Sequence, residues 1–266
     1  MLRSLAQLFR SPAPAAPPAN APEGERWYVV GDVHGRCDLL DALISAIDSD
    51  DAEAAPARTT VVMLGDLVDR GPESAGVVAV VRAWQRRRNV RVLAGNHEEM
   101  FLDSFDDLEM LRHFLRHGGR ETILSYGLDR DRYNAMSLEE VQEEMARIVP
   151  IEDREFLRAA EEMIVVGDYL LVHAGINPGV PLEEQRRSDL LWIRERFLRH
   201  TDAHSHVVVH GHTIFDDVDD AGHRIGIDTG AYRSGRLTAL VLEGPTRRII
   251  QAVESDGSIA IEHSEG

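Results

Sequence analysis

The chain contains no lysine: all 29 of its positive side chains are arginine. Arginine and lysine differ in hydration and hydrogen-bonding geometry, but no single function demands the complete loss of one, so genomic base composition is the simpler account. Cysteine is nearly absent too. The single thiol, Cys37, excludes an internal disulfide framework and fits a reducing compartment, so a cytoplasmic location is expected. Positive charge is scarce against 46 acidic residues, leaving a formal net charge of −17. A surface built to grip nucleic-acid phosphates or anionic lipid needs a basic face, so neither nucleic acid nor membrane is expected as a partner. The one arginine-dense run, Arg86-Arg87-Arg88, sits at a helix end and reads as a solvated last turn. The N-terminal MLRSLAQLFR lacks an apolar stretch long enough for a signal-peptide core or a membrane span. Its stripe of Leu2, Leu5, Leu8 and Phe9 reads as a frayed terminus, with a weak surface-binding helix as the alternative.

Hydrophobic residues make up 43% of the 266, ample for a buried core. The Pro/Ala-rich SPAPAAPPANAPEGE reads as an extended linker, so residues 1–26 are expected as a tail and the folded domain as 27–254. The closing ESDGSIAIEHSEG loses the hydrophobic pattern, and 255–266 is expected to be loose.

Within the domain, short β-branched runs each stop at a glycine and a polar side chain. Residues 27–30 precede GDVHG, 60–64 precede GDLVDRG and 90–93 precede GNHE. Residues 163–172, broken at Gly167-Asp168, precede HAG, and 207–209 precede HGHT. These read as strands. Between the early ones lie helical periods, Leu39, Leu40, Leu43, Ile44 and Ile47 on one face and Val77, Val78, Val81 and Trp84 on another. Alternating strand and helix predicts an α/β sheet with parallel pairs, whose ligands gather beyond the C-terminal strand ends. Residues 224–227, 237–242 and 248–253 read as consecutive strands in meander order. Residues 100–160 contain no convincing strand and predict a helical insertion beside or over those strand ends. Its His113 and His117, at i and i+4, could grip a metal, but without an acidic or cysteine companion a solvated helix face is the simpler reading.

The strand ends bring together Asp32 and His34, then Asp66, Asp69 and Arg70, then Asn96, His97 and Glu98, then His173, and last His210 and His212. Carboxylates, one amide oxygen and imidazoles without sulfur suit two borderline or hard divalent ions better than a structural thiolate site. Burying so many polar groups without a cation is costly, which argues against a purely structural role.

GDVHGR, GDLVDRG, GNHE, HAG and HGHT, in this order and spacing, resemble the phosphoprotein phosphatase family of binuclear, calcineurin-like metallophosphoesterases. The resemblance runs from about Trp27 to Glu243 and is nearest to the bacterial and bacteriophage serine/threonine phosphatases, whose pattern LLWIRERF and GIDTGA also look like. It implies a β-sandwich flanked by helices. It also implies that Asp32, His34 and Asp66 hold one metal ion and that Asp66, Asn96, His173 and His212 hold the other, with Asp66 bridging. His210 falls outside the ligand position and is expected to support or pack. By the same resemblance Arg70 and Arg194 bind phosphate, with Arg196 the nearby alternative, while His97 is the catalytic histidine, Asp69 its carboxylate partner and Glu98 a supporting residue.

The activity so implied is hydrolysis of phosphomonoesters, above all phosphoserine and phosphothreonine in proteins, with two divalent ions, Mn²⁺ first and Fe or Zn as alternatives. Two such ions lower the pKa of a water between them and clamp the phosphoryl oxygens. The arginine forks orient the phosphate, and His97, kept cationic by Asp69, protonates the poor alkoxide leaving group. Symmetrical bis(5′-nucleosyl)-tetraphosphatases are the alternative. They tend to carry GDLVARG and GNHD, whereas this chain has Asp69 and Glu98. A non-catalytic scaffold is disfavoured because every matched position holds a competent residue, and a long-nucleic-acid nuclease because no basic stripe stands out.

Overall fold

A computed structural model describes residues 19–265. The stripe of Leu2, Leu5, Leu8 and Phe9 and most of the expected N-terminal tail therefore lie outside the described residues. In chain order the strands are β1 (Glu25–Val30), β2 (Arg58–Met63), β3 (Val90–Val92), β4 (Met163–Val166), β5 (Tyr169–Val172), β6 (Val207–His210), β7 (Asp219–Asp220), β8 (Arg224–Gly226), β9 (Arg236–Glu243), β10 (Thr246–Ser255) and β11 (Ser258–Glu265). They form two sheets, ordered β11-β10-β9-β1-β2-β3 and β4-β5-β6-β8-β7. The parallel pairs are β1/β2, β2/β3, β5/β6 and β6/β8. Between β1 and β3 run α1 (Cys37–Glu53) and α2 (Ser74–Gln85).

The side-chain period of two explains why these strands read as continuous apolar runs. In β1, Tyr28 and Val30 face α1 and α2, while Trp27 and Val29 face the second sheet. In β5, Tyr169 and Leu171 point back to the first sheet, and Leu170 and Val172 pack on the far side with Leu190, Leu191 and Phe197. Those last residues come from α9 (Arg187–Trp192) and α10 (Glu195–Leu198). Two sheets are thus sandwiched between helical layers, the α/β sandwich with flanking helices that the motif order implied.

Residues 96–158 are helical as expected: α3 (Asn96–Asp103), α4 (Leu108–Phe114), α5 (Arg120–Ser125), α6 (Arg130–Ala135), α7 (Leu138–Ile148) and α8 (Ile151–Arg158). Residues Leu115–Gly119 join α4 to α5 across a kink at Gly118, whose φ of 104° and ψ of 8° are not helical. The short α9 (Arg187–Trp192) and α10 (Glu195–Leu198) follow β5, and α11 (Ala231–Ser234) precedes β9. His117 is exposed, and its Nδ1 donates to the His113 carbonyl at 2.8 Å, as suits a solvated helix face. Arg87 and Arg88 pair with Asp48, so that run is not a free basic patch.

Three sequence expectations need correction. Residues 258–265 are not loose: β11 pairs antiparallel with β10 along its whole length, and Ile259 and Ile261 pack on the helix-side core. The turn is Asp256-Gly257, both with positive φ (52° and 78°), a hairpin signal that outweighs the thin hydrophobic pattern. Residues 224–226 do not continue into the meander. They join the second sheet beside β6, because local periodicity is blind to which sheet a strand enters. The domain also starts before Trp27: Ala21 is buried and its N–H donates to the Gly244 carbonyl at 2.8 Å.

Cys37 opens α1 in a buried position. Burial first, then the carboxylates of Asp41, Glu73 and Asp38, push its thiol up to about 11. At pH 8 only about one molecule in a thousand carries the thiolate, the reactive species. Alkylation by iodoacetamide, followed by intact mass, is therefore expected to be very slow at pH 8 and to accelerate about tenfold per pH unit while the fold holds. Rapid labelling of folded protein at pH 8 contradicts this.

Candidate active site

Every motif falls just past the C-terminal end of a strand that takes part in parallel pairing. Asp32 and His34 follow β1, Asp66, Asp69 and Arg70 follow β2, and Asn96 and His97 open α3 after β3. His173 follows β5, and His212 follows β6. The two sheets thus deliver their polar ends to one place. Among the described residues six non-glycine positions have left-handed backbone, and five of them are here: His34 (φ 45°), Asp66 (48°), Asp69 (73°), Arg70 (68°) and His212 (62°). Such backbone costs free energy and persists only where the surroundings over-determine it, as at binding and catalytic sites.

Two buried trios present ligand atoms within 4.8 Å of one another: His34, Asp66 and His97, and Asp66, His173 and His212. Asp66 belongs to both. Its Oδ2 lies 3.5 Å from His34 Nε2 and its Oδ1 lies 3.4 Å from His173 Nε2, so each oxygen addresses one side. The outer ring nitrogens fix the tautomers. His34 Nδ1 donates to the Val68 carbonyl and His173 Nδ1 to that of Leu64, both at 2.8 Å, which leaves each Nε2 lone pair facing inward. Asn96 Oδ1 is 3.0 Å from His173 Nε2. Asp32 stands outside both trios, but its Oδ2 accepts the His212 N–H at 2.9 Å and its Oδ1 is buried without a partner, as is His212 Nε2. A Cβ at position 211 would lie 2.1 Å from Asp32 Oδ1 and one at position 95 would lie 2.2 Å from Asp66 Oδ1, so glycine is required at both.

The electrostatics agree with this donor set. Burial, then Asp228 and Asp66, pushes the Asp32 carboxyl well above the usual carboxylate range. Burial works in the same direction on Asp66, but His173, His97, His34 and His212 outweigh it and hold that carboxyl below its ordinary range. Burial holds His34, His173 and His212 below the ordinary imidazole range, hence neutral and able to ligate. Inward lone pairs, partnerless buried oxygen and nitrogen atoms and converging carboxylates fit a pair of divalent cations.

Beside the trios, His97 Nδ1 bonds Asp69 Oδ2 at 2.6 Å. Burial opposes a charge on His97, but Asp66 and then Asp69 overcome it and raise the imidazole above its usual value. Arg70 reaches into the same space, with Nη1 2.8 Å from His34 Nε2 and Nη2 2.9 Å from His97 Nε2. Arg194 is exposed just before α10, and its charge helps to lower His173 and His212. Arg196 lies within α10, also exposed. Glu98 accepts the backbone N–H of Asp66, Leu67, Val68 and Gly95, tying the β2 turn to α3. Burial and Asp66 push its carboxyl up to about 7. His210 packs between Phe197 and Phe215 and is not part of either trio.

Sequence reasoning assigned no role to four residues found here. Asp228 is buried and close enough to Asp32 for each carboxyl to perturb the other. The Arg70 guanidinium lies 4.8 Å from the Tyr232 ring centroid. Trp192 stands edge-on to His212, its indole N–H donating to Glu99 at 2.9 Å. Thr122, from the helical insertion, bonds Asp69. Asp228 and Trp192 lie in GIDTGA and LLWIRERF and Tyr232 directly follows the first of these, so the motifs were visible although the contacts were not. No local signal marks Thr122.

The family described as calcineurin-like phosphoesterase matches residues 26–234 of the chain. Serine/threonine-protein phosphatase 2 of Escherichia coli strain K12 is 26% identical over 232 residues, covering 82% of this chain and 94% of that protein. A symmetrical bis(5′-nucleosyl)-tetraphosphatase of Acidovorax ebreus strain TPSY is 32% identical over 157 residues, 59% of this chain and 46% of that protein. Among solved structures, one described provisionally as a diadenosine tetraphosphatase matches with a TM-score of 0.60 at 20% identity, covering 92% of this chain and 98% of that one, a likeness of fold alone.

Proposed function

We propose, from the premise that the chain belongs to the calcineurin-like phosphoesterase family, that its phosphoester-hydrolysing site acts on phosphoserine and phosphothreonine in proteins. The observation that carries this choice is the 2.6 Å bond between His97 Nδ1 and Asp69. A serine or threonine alkoxide is a very poor leaving group and requires a proton as the P–O bond breaks. An imidazole raised by a buried carboxylate is suited to supply it. A phosphoanhydride, whose leaving group is a nucleotide phosphate, has less need of such a pair.

The family's centre holds two divalent ions, and in this chain Asp32, His34 and Asp66 would hold one and Asp66, Asn96, His173 and His212 the other. Mn²⁺ is the ion we assign, with Fe and Zn compatible with the same nitrogen and oxygen donors. When bound, the ions supply a nucleophile generated from water and neutralise charge on the phosphoryl group. The remaining work falls to the protein. Arg70, anchored over Tyr232, and Arg194 bind and orient the phosphate through planar forks. Asp69 holds the His97 ring and its charge, and His97 delivers the proton to the leaving oxygen. Cys37, buried on α1, has no part.

A cytoplasmic location is part of the proposal and draws on the single cysteine, which suits a reducing compartment. Among the described residues no helix is long and apolar enough to cross a membrane. With a net charge of −17, neither nucleic acid nor membrane is expected as a partner. The second reading, symmetrical dinucleoside tetraphosphate hydrolysis, draws on the Acidovorax relative. The deciding assay compares kcat/KM for a phosphothreonine peptide and diadenosine tetraphosphate with Mn²⁺ present. The expected preference for the peptide is about tenfold or more. A preference of that size for the dinucleotide replaces this reading with the second one.

A further inference from the structure

The helical insertion reaches into the catalytic pair rather than merely flanking it. Asp69 and Arg70 are consecutive non-glycine residues in left-handed backbone, and what holds them there comes largely from 118–122. Arg70 N–H donates to the Gly118 carbonyl at 3.1 Å. Gly118 itself has φ 104°, and a Cβ on it would lie 2.7 Å from Arg70 N. Asp69 N–H donates to Thr122 Oγ1 at 2.8 Å, and the Thr122 hydroxyl donates to Asp69 Oδ1 at 2.6 Å. Ser74 Oγ, 3.0 Å from Thr122 Oγ1, also accepts the Asp69 N–H. Thr122, Asp69 and Ser74 are all fully buried.

We infer that this turn is a clamp and that Thr122 is a positioning residue for His97, acting through Asp69. With Oδ1 committed to Thr122, the other oxygen of Asp69 is left in one orientation, 2.6 Å from His97 Nδ1. The chain of contacts runs from a helix of the insertion, through a strained dipeptide, to the imidazole that faces the leaving group. The kink at Gly118, where the helix breaks between α4 and α5, brings Gly118 and Thr122 to the same dipeptide. The inference rests on the reading of His97 as proton donor.

The test is a double-mutant cycle on the Mn²⁺-loaded full-length protein with two substrates, a phosphothreonine peptide and p-nitrophenyl phosphate. Thr122→Val keeps the volume and removes both hydrogen bonds to Asp69, along with the contact to Ser74. It is expected to lower kcat for the peptide about tenfold or more and for the aryl ester about threefold or less. The ratio of the two rates is unaffected by any misfolded fraction. Thr122→Ser is expected to restore the wild-type ratio. In a His97→Asn background, Thr122→Val should change the peptide rate less than about twofold, because the group it positions is gone. Metal content and thermal unfolding provide a fold control. Equal slowing of both substrates by Thr122→Val, or full additivity with His97→Asn, overturns the clamp. If His97→Asn alone slows both substrates equally, the premise fails and the clamp's link to proton donation goes with it. If His97→Asn is selective and Thr122→Val is not, only the clamp fails.

Discussion

Asp66→Asn is expected to reduce turnover by about three orders of magnitude or more, even at saturating Mn²⁺. The reason lies in how one carboxylate is shared. Oδ2 faces His34 Nε2 and Oδ1 faces His173 Nε2, at 3.5 and 3.4 Å. An amide at this position loses the negative charge that both sides draw on and turns an N–H donor toward one inward lone pair. The backbone is spared. Asparagine tolerates φ near 48° about as well as aspartate does, and the N–H that residue 66 donates to the Glu98 carboxylate is main chain and is retained. Loss of activity without loss of fold is therefore the expected pattern, read as kcat together with bound metal per chain after gel filtration. Substantial turnover in a variant that still binds two ions contradicts the bridging role.

Much of this site could be read from the sequence because strands buried on both faces are continuous apolar runs, and each ends where a glycine admits a polar side chain at close quarters. Gly211 against Asp32 and Gly95 against Asp66 are such approaches. Asp32 and Asp66, the side chains those glycines admit, and His212 and Asn96, which directly follow them, were legible for the same reason. What was not legible depends on contacts between distant parts of the chain. Thr122 is 53 residues from Asp69 and looks like any helical threonine. Asp228 was visible inside GIDTGA and Tyr232 directly follows that motif, yet nothing local says that one lies against Asp32 and the other under Arg70. The strand at 224–226 was recognised as a strand and placed in the wrong order, since its partner β6 is chosen by sandwich packing and not by its own pattern. The last hairpin was missed because hydrophobic alternation was weighed and the Asp256-Gly257 turn was not.

His97→Asn is expected to separate substrates by their leaving groups. For a phosphothreonine peptide, loss of a general acid should lower kcat by about 10²–10⁴-fold. For p-nitrophenyl phosphate, whose phenolate departs without a proton, the loss should be about tenfold or less. The substitution is clean for physical reasons. The His97 main-chain N–H that donates to Asp66 Oδ1 at 3.0 Å is retained. The side chains proposed to hold metal are untouched, so bound Mn²⁺ per chain should match the wild type. Asparagine carries no titratable proton, so neither the charge nor the transfer can be recovered. Asp69 remains bonded to Thr122 at 2.6 Å, which keeps a buried carboxylate partly satisfied and limits the structural damage. The discriminating quantity is the ratio of the two losses. A ratio near one, with metal content intact, means that His97 acts on both reactions alike, through phosphate binding or charge rather than through the proton. The bond to Asp69 would then serve to hold a cation in place.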